Sequence, residues 1–172
     1  MSLPRELSLK NGRLYQRPVR ELDAMRHGKV EYTDVAVSGV VKLDGMKGRR
    51  VDMELAVRPV DGEDLYQKFA VRFAQDDTCY TSLSFRPRES ILKVDRKFSG
   101  SRRAIIHQRR ALVNNPNGEL RLRIILDRFS VEVFVGDGEQ VLTATMYTKQ
   151  EADGISFFAD GTANIDVVKY EL

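Results

Sequence analysis

The stretch Ile125-Leu126-Asp127-Arg128-Phe129-Ser130-Val131-Glu132-Val133-Phe134-Val135-Gly136-Asp137-Gly138-Glu139 decides how this chain reads. Val131, Val133 and Val135 alternate with Glu132 and Phe134, the two-residue period of a strand with one buried face. Asp137-Gly138 then supplies the positive-φ positions of a tight hairpin turn. The pattern recurs outward from this point. Val51, Met53, Leu55 and Val57 alternate with Asp52, Glu54 and Arg58; Phe69, Val71 and Phe73 with Ala70 and Arg72; Leu120, Leu122, Ile124 and Leu126 with Arg121 and Arg123. Further strand-like runs cover 31–41, 78–85, 91–95, 141–147, 155–159 and 165–170. Turn dipeptides fall between them: Asp44-Gly45, Asp61-Gly62, Asn117-Gly118, Asp153-Gly154 and Asp160-Gly161. Short alternating strands at this density of turns predict an all-β fold, an antiparallel sandwich or barrel.

The first residues behave differently. Runs 3–9 and 13–18 flank Asn11-Gly12 and read as a hairpin. Pro18 then opens a short predicted helix with Val19, Leu22 and Met25 on one face, and Gly28 stops it. A lone two-stranded hairpin is marginal in water, so this one must dock on something. The spacing predicts two parts, a hairpin with a linker helix over 1–27 and a sandwich over 28–172.

At 172 residues the chain can bury roughly 70% of its unfolded surface and needs no disulfide or metal to hold a core. Cys79, the single cysteine, excludes an internal disulfide and fits a cytoplasmic protein. No apolar run is long enough to span a membrane, and no apolar segment follows Met1-Ser2-Leu3-Pro4-Arg5 as a secretory signal requires. The 28 basic residues against 25 acidic ones give a net charge of +3. The basic residues come in pairs (Arg49-Arg50, Arg102-Arg103, Arg109-Arg110, Arg121 with Arg123) among interspersed acids, which argues for solvated strand faces over a nucleic-acid surface.

Leu126-Asp127-Arg128-x-Ser130-Val131-Glu132-Val133-Phe134 with its Asp137-Gly138 turn resembles the C-terminal β-sandwich signature of glycoside hydrolase family 32, the invertases and sucrose-6-phosphate hydrolases. Leu3-Pro4-Arg5-Glu6-Leu7 followed by 12–22 is similar to that family's exit from its catalytic β-propeller. The likeness continues through Thr78-Cys79-Tyr80, Asp153-Gly154-Ile155 and 167–172, in order along the chain. Phe129 and Gly136 depart from it, where the family pattern has a small polar residue and an Asn, and 39–48 matches weakly.

The resemblance implies a retaining glycosidase that uses an aspartate nucleophile and a glutamate acid/base, which retention places about 5 Å apart. It places these in Trp-Met-Asn-Asp-Pro and Glu-Cys motifs, with a further aspartate in Arg-Asp-Pro. This sequence has no tryptophan and no Arg-Asp-Pro, and its cysteine follows Thr78. No catalytic, cofactor-binding or metal-binding residue is therefore assigned, and no cofactor is expected. Asp127 and Glu132 fall on opposite faces of a regular strand, and a bulge at Phe129-Ser130 would bring them together. Asp127, Arg128 and Glu132 are read as domain-contact residues, and Asp76-Asp77 as a turn. His27 and His107 are isolated, Cys79 reads as a small buried hydrophobe in a strand, and Phe98-Ser99-Gly100-Ser101 reads as a flexible polar loop. The resemblance implies an antiparallel two-sheet β-sandwich of the jelly-roll or concanavalin kind, and the expected role is a non-catalytic domain that stabilises a propeller on the same polypeptide. A homodimer is a further expected partner; nucleic acid and membrane are not. A carbohydrate-binding module for fructans or other glycans, with Tyr66, Tyr80, Phe85 and Tyr147 available to stack on sugars, is the alternative.

Overall fold

A computed structural model of the chain describes residues 3–100 and 107–172, so Met1-Ser2, Ser101 and the Arg102-Arg103 pair lie outside the described residues. The described part is almost entirely β. It opens with the predicted hairpin, β1 (Arg5–Lys10) and β2 (Arg13–Pro18), turning at Asn11 and Gly12, both in the left-handed region. Next come β3 (His27–Val41), β4 (Arg50–Pro59), β5 (Lys68–Gln75), β6 (Thr81–Arg86) and β7 (Ile91–Asp95). The remaining strands are β8 (Gln108–Leu112), β9 (Leu120–Asp127), β10 (Ser130–Val135), β11 (Gln140–Thr145) and β12 (Gly154–Glu171).

Apart from the hairpin, the strands form one antiparallel ladder in the order β11-β10-β9-β4-β12-β5-β6-β7-β8, with β3 running alongside β12. β12 is the spine. Its first half pairs with β5 and its second half with β4, while β3 follows its other edge from Phe157 onward. The ladder changes layer at Asp160-Gly161, where the register shifts and Gly161 takes φ +93°. A side chain at Gly161 would press on the Tyr66 backbone. Two layers result, and the alternating apolar residues face each other between them. Val51, Met53, Leu55, Ile124, Val131 and Val133 come from one layer and Phe69, Val71, Phe73, Leu83, Phe85 and Leu92 from the other. Opposite the spine the outer edges draw together, where Arg96 donates to the Thr145 carbonyl at 3.1 Å and to its hydroxyl at 2.6 Å.

Four expectations change on contact with this fold. The linker is a 3-10 helix over Arg20–Met25 that buries none of its residues; it ends because Arg26 is already extended, and Gly28 lies inside β3. The run 78–85 starts as a turn, because the Asp76 carboxylate accepts from the Thr78 N–H (2.7 Å), the Thr78 hydroxyl (2.8 Å) and the Cys79 N–H (2.8 Å). Cys79 is therefore a half-buried turn residue whose thiol donates to Asp76 at 3.3 Å, and burial pushes its pKa up. Ser99 is buried and receives the Thr81 hydroxyl and the Tyr147 N–H, while any Cβ at Gly100 would meet the Tyr147 carbonyl at 2.6 Å. Close packing, not flexibility, calls for that glycine.

Candidate functional site

The quoted stretch is a hairpin, not one strand. β9 ends at Asp127, Arg128 takes φ +36°, and β10 returns from Ser130 with Ser130 opposite Asp127 and Glu132 opposite Ile125. Cross-strand partners point to the same side of a sheet. The turn at Arg128-Phe129 thus brings Asp127 and Glu132 onto one face without a bulge. That face is the outer one, and the period-2 pattern leaves it to solvent. Yet Glu132 and Phe134 are each only 2% exposed. The β1–β2 hairpin covers them.

Arg5 on β1 makes the closure. Its Nη2 and Nε donate to Glu132 Oε2 at 2.7 and 3.1 Å, and the Leu3 N–H donates to Oε1 at 2.6 Å. The same guanidinium reaches Gln16 (2.9 Å) and Thr143 (2.8 Å) and lies 5.6 Å from the Phe134 ring centre. At the hairpin edge the Gln16 N–H donates to the Gly138 carbonyl at 3.0 Å, and Arg17 pairs with Asp137 at 2.8 Å. Gly138 sits so close to β2 that a Cβ there would lie 2.0 Å from the Gln16 carbonyl oxygen.

A second ionic cluster holds the connector. Asp52, fully buried on the outer face of β4, accepts from Arg26 at 2.8 Å and from Arg123 at 3.0 and 2.6 Å. Arg26 also reaches Glu54 (2.6 Å), and Arg123 reaches Asp23 (2.6 Å). Burial opposes the Arg26 charge, but its bonds to Asp52 and Glu54 outweigh this and hold its pKa above the ordinary arginine value. Between hairpin, connector and sheet runs a cleft of about 650 Å³ edged by Glu6, Arg17, Asp23, Glu54, Arg121 and Asp166. What the arrangement does chemically is bind: it fixes the angle between the leading hairpin and the sandwich. Beyond the sheet the hairpin leaves Leu7, Leu9 and Leu14 63%, 74% and 52% exposed.

Of the three candidate contact residues, then, the structure builds Glu132 into this junction. Asp127 and Arg128 are exposed at the β9–β10 tip, and the Arg128 carbonyl accepts from Arg49, whose Nη1 also reaches Thr148 (2.7 Å), Lys149 (2.9 Å) and Ala152 (3.0 Å). Arg5, Asp52, Arg26 and Arg123 were not singled out by the sequence. Asp52 occupies an ordinary outward position, and only the long-range docking of the connector turns it into a buried one.

Residues 21–171 match the family model described as glycosyl hydrolases family 32 C terminal. The chain is 27% identical to sucrose-6-phosphate hydrolase of Staphylococcus xylosus, with 100% of this chain covering 34% of that protein. It is 30% identical to levanase of Bacillus subtilis (92% of this chain, 24% of that protein). It therefore spans about a third or less of the length of these relatives. In structure it is similar to exo-inulinase of Aspergillus awamori, with a TM-score of 0.82 at 19% identity, over 99% of this chain and 35% of that one. Sucrose-6-phosphate hydrolase of Lactobacillus gasseri gives a TM-score of 0.79 at 23% identity, over 98% and 33%. With its sandwich, its locked leading hairpin and a family match over nearly its whole length, this chain belongs to the family 32 glycosyl hydrolases as their C-terminal domain.

Proposed function

We propose that the chain is the non-catalytic C-terminal domain of a β-fructofuranosidase of the sucrose-6-phosphate hydrolase kind, working in the cytoplasm, and that it holds a catalytic propeller on the same polypeptide. In this reading residues 1–27 are the propeller's exit hairpin and connector, and 28–172 form the sandwich. The observation that carries it is the buried Glu132–Arg5 pair beneath a hairpin whose Leu7, Leu9 and Leu14 are uncovered. An apolar strip on a rigidly held ribbon is a surface built to be covered. Asp127 and Arg128, exposed at the β9–β10 tip, add polar contacts to the same partner.

Two measurements test the proposal. The purified chain is expected to release no fructose from sucrose or its 6-phosphate; release proportional to the amount of chain overturns it. A family 32 catalytic domain supplied in trans is expected to co-purify with the chain and to lose it when Leu7 and Leu14 become Asp. Retention of the doubly substituted chain removes the hairpin from the contact.

One observation favours a second reading, glycan binding. Phe98 and Tyr147 are exposed and line a hollow of about 380 Å³ with Asp76, Lys97 and Lys149, which combines ring faces with polar groups. Calorimetry with fructo-oligosaccharides decides it: saturable heat lost in Tyr147→Ala supports binding there, and no heat leaves the docking role alone.

A further inference from the structure

The outer face of the β5–β8 layer carries charges that the docking role does not use. Strand register puts Ala70, Ser84, Lys93 and Arg110 in one row across β5, β6, β7 and β8. The flanking rows carry Arg72 and Ser82 on one side and Arg86, Ile91 and Leu112 on the other. Lys68, at the start of β5, lies within the field of Arg86, Lys93 and Arg72. Lys93 and Arg110 are directly opposed across β7 and β8, a like-charge pairing that destabilises a sheet by itself. The small side chains of Ala70 and Ser84 form a low floor between bulky cations. Beside them lies a hollow of about 220 Å³, lined by Ser84, Arg86, Glu89, Ile91, Lys93 and Arg110.

Asp160 stands opposite Lys68 across β12 and β5, and the two acids nearer the hollow are already engaged. Glu89 pairs with Arg86 at 3.0 Å. Asp95 takes Lys93 at 3.2 Å together with the Lys97 N–H and the Gln108 amide, both at 2.9 Å. Among the described residues, Lys68, Arg72 and Arg110 have no carboxylate within 4.0 Å. Arg110 donates to the Gln108 side-chain oxygen at 2.7 Å. Burial, followed by the charges of Arg86, Lys93 and Arg72, pulls the Lys68 ammonium below the ordinary lysine value against the opposing pull of Asp160. A local conflict of this kind in an otherwise consistent sheet marks a place where something else supplies the missing charge.

We propose that this hollow binds a phosphate group, with Lys93 and Arg110 as its direct cationic contacts, the Ser84 side chain at its floor, and Lys68 and Arg86 supplying the surrounding field. A tetrahedral oxyanion is compact enough for the hollow, and guanidinium and ammonium groups are its usual partners. The site is independent of the leading hairpin and of the docking role: it lies on the other layer of the sandwich.

The test titrates the 172-residue chain with inorganic phosphate, a hexose phosphate and acetate at matched ionic strength. It follows heat and backbone amide shifts. Saturable binding of phosphate or of the hexose phosphate, with shifts confined to β5–β8, is the expected result; the tighter of the two identifies free or sugar-borne phosphate as the source. Lys93→Gln and Arg110→Gln are each expected to weaken binding about tenfold or more, as loss of a charge-assisted hydrogen bond does. Arg13→Gln, which removes the same charge from the exposed hairpin turn, should leave it unchanged. Equal binding of acetate, equal weakening by all three substitutions, or no saturable binding overturns the proposal.

Discussion

Glu132 is a carboxylate shut away from water by the hairpin that it holds. Replacing it with Ala strands the Arg5 guanidinium and the Leu3 N–H, and removing one partner of a buried ion pair costs about 3–5 kcal/mol. Urea unfolding of Glu132→Ala should show a loss of that order, with early protease cleavage near the hairpin. The double substitution Arg5→Leu with Glu132→Leu should recover most of the loss, since apolar packing often replaces such a pair without penalty. Asp76 acts differently, because it is exposed. The Thr78 N–H and hydroxyl and the Cys79 N–H hold its carboxyl well below the usual carboxylate range. A depressed folded-state pKa stabilises the fold above the unfolded value, near pH 4, and the stabilisation disappears as pH falls through the folded value. Between pH 4 and pH 2 the melting temperature of Asp76→Asn should therefore fall less steeply than that of the parent. An unchanged slope would mean that the turn does not hold its charge.

Among the elements, the β1–β2 hairpin shows what the sequence made legible. Its turn at Asn11-Gly12 and its need of a dock were both readable, because turn chemistry is local and a two-stranded ribbon cannot stand alone. The surface it docks on was not, since Glu132 and Asp52 carry ordinary outward strand periodicity and are buried only by residues more than twenty positions away. The β9–β10 turn escaped for a related reason: Arg128-Phe129 contains no glycine or asparagine, yet Arg128 takes the positive φ itself. β8 escaped as well, because its Arg109-Arg110 pair breaks the alternation that marks a strand. The docking depends on backbone contact as much as on charge. Gly138→Ala would place a methyl against the Gln16 carbonyl, so the turn must withdraw from β2. Amide exchange should then quicken at Gln16 while the β4, β9 and β12 amides keep their protection; unchanged exchange at Gln16 would refute the contact.

At the scale of the whole molecule, β3 forms an outer edge of both layers, and such an edge invites pairing with another chain. Here it is blunted by the exposed Lys29–Glu31 ion pair, by positive φ at Asp34 and Gly39, and by three register shifts against β12. Converting both Lys29 and Glu31 to Val should leave monomer stability nearly unchanged, since an exposed pair contributes at most about 1 kcal/mol. It should nonetheless produce concentration-dependent light scattering, whose absence would show that the bulges alone protect the edge. β12, meanwhile, is hydrogen-bonded along both edges and joins the two layers, yet among the twelve described strands it is the last to leave the ribosome. Synthesis therefore delivers two ladders, β4 with β9 to β11 and β5 to β8, without the strand that joins them until residues 154–171 arrive. The joining of the two layers into one sandwich waits for that strand. A leading domain on the same polypeptide, folding as a unit as it emerges, would be in place before the two layers of this one are joined.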